Sequence, residues 1–222
     1  MSANFEWVTF DCYGTLIDWE TGILKALKPI FALEDAEILK LYARFESEAE
    51  RTWKPYREIL KEVALKFFDH FGLKPDPGQE NILWQSLPSW PPFPEVKEAL
   101  AGLKKAGFKF AIISNIDNDL LAKSVAQMGV SFDALITAEE ARCYKPGQAI
   151  FELAETRLSV SPERIFHVAQ SLFHDIAPAK ERGWTTCWVK RPSRDPFGAT
   201  PPAEARPDFV ISELREVIKI IG

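Results

Sequence analysis

Apolar and polar positions along the chain follow two different periods. Trp7-Val8-Thr9-Phe10 is a short apolar run that ends abruptly at Asp11-Cys12-Tyr13-Gly14-Thr15-Leu16. Val8 and Phe10 mark a buried strand, and Gly14 permits a turn that other residues resist. From Leu16 to about residue 87 the spacing becomes helical. Ala26, Leu27, Ile30 and Phe31 form one stripe, and Ile38, Leu39, Leu41, Tyr42 and Phe45 form a second. Ile59, Leu60, Val63, Ala64, Phe67 and Phe68 form a third. Gly72 and Pro75-Asp76-Pro77-Gly78 interrupt the pattern, and a shorter helix follows near Asn81–Leu87.

Pro88-Ser89-Trp90-Pro91-Pro92-Phe93-Pro94 excludes helix and reads as a stiff return strap, with Trp90 and Phe93 packed against something. Beyond it strands and helices alternate. Helices are expected at Val96–Ala106, Leu120–Met128 (capped by Asp117), Ala149–Leu158, Ile176–Arg182 and from about Leu214. Strands are expected at Phe108–Ser114, Ala134–Thr137, Ile165–Ala169, Thr185–Val189 and Asp208–Ile211. Residues 192–207 read as an ordered, irregular loop. Such alternation implies an α/β fold with a doubly wound parallel sheet. The core spans 1–16 and 92–222, and an all-helical insert spans 17–91.

Composition narrows the classes. A chain of 222 residues with 46% hydrophobic content is that of a globular protein. No apolar run reaches the ~20 residues that cross a bilayer. Met1-Ser2-Ala3-Asn4-Phe5-Glu6 has no signal-peptide pattern, so a cytosolic location is expected. A net charge of −5 and the lack of a basic block speak against nucleic acid. Cys12, Cys143 and Cys187 are odd in number and widely spaced, so neither a disulfide framework nor structural zinc is expected. Cys12 follows Asp11 on the opposite face and reads as a small buried hydrophobe.

The candidate chemistry lies at strand ends. Asp11 sits at the carboxyl end of the first strand, the edge where open α/β sheets bind ligands. Ser114-Asn115 ends a second strand. Tyr144-Lys145-Pro146 places a cation ahead of a helix. Val168-Ala169-Gln170-Ser171-Leu172-Phe173-His174-Asp175 ends another strand and leads into a helix. Each has a plainer reading as a turn, cap or solvated residue. Their convergence on one sheet edge favours a site, and the insert is placed to exclude water from it.

These four stretches, from Phe10-Asp11-Cys12-Tyr13-Gly14-Thr15-Leu16 onward, resemble the haloacid dehalogenase superfamily over nearly the whole chain. The resemblance implies a Rossmann-like core, a helical cap and Asp11 as a covalent nucleophile. Phosphatases of this superfamily carry a second acid where this chain has Tyr13 and a metal-binding acid where it has Gln170, so a phosphatase ranks third among the readings. The Asp-x-Tyr-Gly-Thr-Leu pattern is similar to the 2-haloacid dehalogenase branch, which needs no metal and no other cofactor. The branch implies that Thr15 and Ser114 fix the Asp11 carboxylate and the substrate acid, and that Asn115 donates toward the leaving group. It also implies that Lys145 keeps Asp11 ionised and that Asp175 pairs with Lys145 or activates water. Arg44 is the match to the branch's leaving-group arginine, and Phe151 stands where a Tyr is usual. Tyr13 and Gln170 complete the substrate-binding set. The stretch at Gln170, and Arg44-x-Glu46-Ser47, resemble more closely a sub-branch that includes azetidine-2-carboxylate hydrolase. There a cationic ring nitrogen would favour Glu46 over Arg44. The expected partner is a small-molecule carboxylate, not nucleic acid or membrane, with a homodimer as one allowed assembly. A catalytically silent binding module on the same fold is the alternative of a different class.

Overall fold

A computed structural model describes residues 5–193 and 203–222. The leader reading of Met1–Asn4 and the middle of the 192–207 loop lie outside the described residues. The elements run β1 (Trp7–Phe10), α1 (Trp19–Leu27), α2 (Asp35–Ala49), α3 (Tyr56–His70), α4 (Ile82–Ser86), α5 (Val96–Lys105), β2 (Lys109–Ser114), α6 (Asn118–Val125) and β3 (Ala134–Thr137). They continue with α7 (Ala138–Ala141), α8 (Gln148–Leu158), β4 (Ile165–Ala169), α9 (Ala177–Glu181), β5 (Thr185–Val189), β6 (Phe209–Ile211) and α10 (Val217–Ile221). The six strands form one sheet in the order β3-β2-β1-β4-β5-β6, every pair parallel.

Parallel sheets are covered on both faces, and alternate residues of each strand serve opposite cores. Val8, Phe10, Phe110, Ile112 and Val168 enter one core, which continues into the helical insert through Leu16, Ile23, Leu39 and Phe67. Trp7, Ala111, Ile113 and Ile165 enter the other, against Phe151 and Trp184. Burying one large apolar side chain contributes about 1.5–3 kcal/mol, so the shared first core fixes the insert on the sheet. Cys12 is fully buried in that first core, and burial pushes its thiol well above the usual range.

The strands that leave and re-enter the core lie side by side. The Phe93 amide donates to Leu16 O at 3.0 Å, and the Asp18 amide donates to Pro91 O at 2.8 Å. Trp90 is buried with its ring edge-on to Tyr13, the centroids 6.0 Å apart. Pro88 stands in a short 3-10 turn, Leu87–Ser89, at a position where a helix needs no amide hydrogen. So the prolines exclude α-helix but not this turn.

Two other boundaries differ from the sequence pattern. The helix expected at 176–182 opens with a π-helical turn, Leu172–Ile176, before α9. Asp117 precedes α6 but does not cap it. Its carboxylate accepts the amides of Tyr56 at 2.7 Å and Arg57 at 3.0 Å, the first residues of α3. A core residue thus caps an insert helix, a long-range role that local sequence does not show.

Gly22 on α1 lies under Trp90, where an added Cβ would stand 2.2 Å from the ring. Gly22→Ala is expected to destabilise by about 1–3 kcal/mol through overpacking. Chemical denaturation would show this as a lower midpoint at unchanged slope. An unchanged midpoint would mean that the strap is not clamped on α1.

Candidate functional site

Asp11 follows β1 directly, and its amide donates to Val168 O at 3.1 Å, which fixes it at the carboxyl edge. Its Oδ2 accepts the Thr15 hydroxyl at 2.7 Å, and its Oδ1 accepts Lys145 Nζ at 2.8 Å. Thr15 Oγ1 in turn accepts the Gln170 amide at 2.9 Å, so the turn after β1 is tied to the end of β4.

Lys145 is 3% exposed. Its ammonium donates to Asp11 Oδ1, to Asp175 Oδ1 at 2.7 Å and to Ile113 O at 2.9 Å. An ammonium has three hydrogens, and all three are used. Burial alone would lower the Lys145 pKa, but the two carboxylates outweigh it and raise it. Burial likewise would raise Asp175, but Lys145 and His167 hold it below the usual carboxylate range. For Asp11 burial wins: its carboxyl lies above the ordinary value against the pull of Lys145 and Thr15.

Above these groups is a cavity of about 160 Å³, lined from the core by Asp11, Tyr13, Ser114, Asn115, Lys145, Gln170, His174 and Asp175. The insert supplies Trp19, Tyr42, Glu46, Glu50 and Tyr56. Ser114 and Gln170 therefore face the cavity with Asp11. Asn115 lines it too, but its amide clasps the Lys145 backbone: Oδ1 accepts the Lys145 amide at 2.6 Å and Nδ2 donates to its carbonyl at 3.2 Å. The Tyr13 hydroxyl pairs with Ser124 Oγ at 2.8 Å, and burial pushes its phenol well above the usual range, so it offers no acid like the one it replaces. Burial also pushes His174 down to about 4, leaving a neutral imidazole in the wall.

Two expected positions are corrected. Arg44 does not reach the cavity; it is exposed, with its guanidinium 4.6 Å from the Phe45 ring centre. Tyr42, Glu46 and Glu50 point one way along α2, and Arg44 is about 200° around the helix from Tyr42. Phe151 is fully buried in the second core, its ring 5.8 Å from Trp184, and does not line the cavity.

The insert's wall holds Glu46, the residue expected to favour a cationic nitrogen, while Glu50, Tyr56 and Arg191 escape the sequence pattern. Glu46 Oε1 accepts the Tyr42 hydroxyl at 2.8 Å and also the Tyr56 hydroxyl. Burial raises Glu46, and burial with the Glu46 charge pushes Glu50 up to about 8. The i, i+4, i+8 spacing of Tyr42, Glu46 and Glu50 was the available signal. Arg191 donates to Thr15 O from Nη2 at 2.8 Å and to Glu95 from Nη1 at 2.5 Å, bracing the Asp11 turn from the end of β5. Nothing local to Arg191 marks that contact.

The residues do not fit a divalent cation. Asp11 and Asp175 direct oxygens at an ammonium, Gln170 offers only an amide, and among the described residues no three His, Cys, Asp or Glu side chains are grouped to hold a metal.

A buried carboxylate and its lysine at the floor of a cavity can be set beside known proteins. The chain is 28% identical to an (S)-2-haloacid dehalogenase of Pseudomonas putida, covering 96% of this chain and 95% of the relative. It is 28% identical to haloacetate dehalogenase H-2 of Moraxella sp. (strain B), covering 99% of each. The structure of L-2-haloacid dehalogenase from Xanthobacter autotrophicus with chloropropionic acid covalently bound superposes with a TM-score of 0.85 over 98% of each chain, at 25% identity. The model of the haloacid dehalogenase-like hydrolases matches residues 5–183, which include Asp11, Lys145 and Asp175, and this chain belongs to that family.

Proposed function

We propose that this protein hydrolyses a small 2-substituted carboxylic acid by way of an ester on Asp11, in the manner of a 2-haloacid dehalogenase. The observation that carries this reading is the Asp11 carboxylate, held on one oxygen by Lys145 and on the other by Thr15 at the floor of the cavity. In the first step an Asp11 oxygen attacks C2, and the leaving group departs with the bonding electron pair. In the second step water adds to the Asp11 carboxyl carbon, and the 2-hydroxy acid is released. Splitting one displacement into two steps is covalent catalysis. The Tyr13 phenol, held neutral, suits a halide that leaves without a proton. Asp175, with one oxygen fixed by Lys145, is the base for the water.

A second reading has its own observation. The wall opposite Asp11 holds Glu46 and Glu50. The basic side chains among the described lining residues are Lys145 and Arg191, and both are engaged, by Asp11 and Asp175 and by Glu95. A substrate that carries an ammonium beside its carboxylate would complement this wall better than a haloacid. Opening of a cyclic amino acid such as azetidine-2-carboxylate fits that description.

A single turnover in ¹⁸O-water tests the ester with either substrate. Label is expected in Asp11 before product; label entering product directly would refute it.

Lys145→Met is expected to cut turnover about 100-fold or more, the scale of losing one preorganised charge. Lys145→Arg is expected to fail as well, since a planar fork does not present three hydrogens from one centre. Steady-state kinetics decide; a near-normal Met variant would remove the ammonium from the chemistry.

Turnover is expected to survive exhaustive EDTA treatment. Restoration by Mg²⁺ of an EDTA-inactivated enzyme would return the phosphatase reading.

The two leaving groups separate by mutation. Arg44→Ala is expected to change turnover of 2-chloropropionate by no more than about twofold, as for other exposed side chains. Glu46→Gln is expected to raise the KM for azetidine-2-carboxylate about tenfold or more if an ammonium is bound. The Glu50 carboxyl is neutral below about 8 and charged above it, so that KM is expected to fall as pH rises through this value. A KM indifferent to Glu46 and to pH would leave the haloacid reading alone.

A further inference from the structure

We infer that His167 is a positioning residue that aims Asp175 at the Asp11 ester, an inference that rests on the ester reading above. His167 lies within β4 and is fully buried. A buried imidazole is costly unless both nitrogens are partnered. Here Nδ1 is 2.8 Å from Thr9 Oγ1 and Nε2 is 3.2 Å from Asp175 Oδ1. The parallel register sets Thr9 directly beside His167 on the neighbouring strand, and the Trp184 ring lies edge-on with its centroid 5.7 Å away.

Of the two neutral tautomers, only the one with its hydrogen on Nε2 satisfies every group, because Asp175 can only accept. The Thr9 hydroxyl donates to Nδ1, and Nε2–H donates to Asp175 Oδ1. Lys145 Nζ donates to the same oxygen. Two donors on one oxygen fix the plane of the carboxylate, where the lysine alone would leave it free to turn. Oδ2 takes part in neither bond and is the oxygen left to the cavity that Asp175 lines.

That orientation matters in the second step only. Water adds to the Asp11 carboxyl carbon and gives a proton to Asp175 Oδ2. The tetrahedral centre then expels the product alkoxide, which takes that proton back, and the acid left on Asp11 releases its own proton to solvent, which restores the carboxylate. His167 keeps its proton throughout. Ester formation needs only Asp11, its lysine and the substrate, so it does not depend on the orientation of Asp175.

The test compares His167→Asn and His167→Gln by rapid acid quench with 2-chloropropionate as probe, following first-turnover chloride and the mass of the Asp11 peptide. The Asn amide reaches only the place of Nδ1, whereas the Gln amide reaches that of Nε2. In His167→Asn, steady-state turnover is expected to fall about tenfold or more, with first-turnover chloride within about twofold and the ester accumulating on Asp11. In His167→Gln most of the turnover is expected to return. Equal loss of both steps without ester, or no difference between the two variants, would overturn the inference. Should the wild type form no ester with this probe, azetidine-2-carboxylate replaces it. No ester with either compound would refute the ester reading itself. The placement of the proton is then judged by ¹⁵N NMR of the substrate-free wild type, where a protonated Nε2 is expected and an unprotonated Nε2 overturns the inference.

Discussion

The site depends on one ammonium. Lys145 Nζ is buried, and its three hydrogens go to Asp11, Asp175 and the Ile113 carbonyl. Leaving either carboxylate without that cation would strand a buried charge, which costs several kcal/mol. The cation pulls both acids down, and their surroundings separate them. Asp175 is held below the usual carboxylate range by Lys145 and His167, whereas burial leaves Asp11 above it. Two acids of opposite tendency around one cation suit the proposed division into an attacking carboxylate and a separate base.

The scaffold makes that arrangement available. Parallel strands end on one edge, so the residues after β1, β2 and β4 converge there without long loops. Asn115 clasps the backbone of Lys145, and Arg191 braces the Thr15 carbonyl. These contacts come from three different strand ends, which ties the accuracy of the site to the register of the sheet. The insert supplies the opposite wall. One of its polar ties to the core runs through Asp117, a core residue that caps α3.

What was legible in the sequence was whatever strand ends express locally. An apolar run that stops at Asp11, Ser114 or Gln170 puts these residues at an edge, and the order of elements gives the parallel sheet. Angular position on a helix was less legible. Arg44 and Glu46 are two residues apart on α2, and only the second faces the cavity. Phe151 stands where the branch usually has a Tyr, but α8 turns it into the second core. His167 and Thr9 look like ordinary strand residues. Their pairing depends on which strands are neighbours, which no local pattern carries. Asp117 looked like a cap and is one, but for a helix 61 residues away.

The central claim is that the Lys145 charge sets the ionisation of Asp11. Its most direct measurement is the ¹³C NMR titration of the Asp11 carboxyl carbon, assigned with Asp11→Asn, in the wild type and in Lys145→Met. The expected result is a wild-type titration above that of an exposed aspartate, displaced further upward when the ammonium is removed. An Asp11 titration that stays where it was in Lys145→Met would contradict the claim.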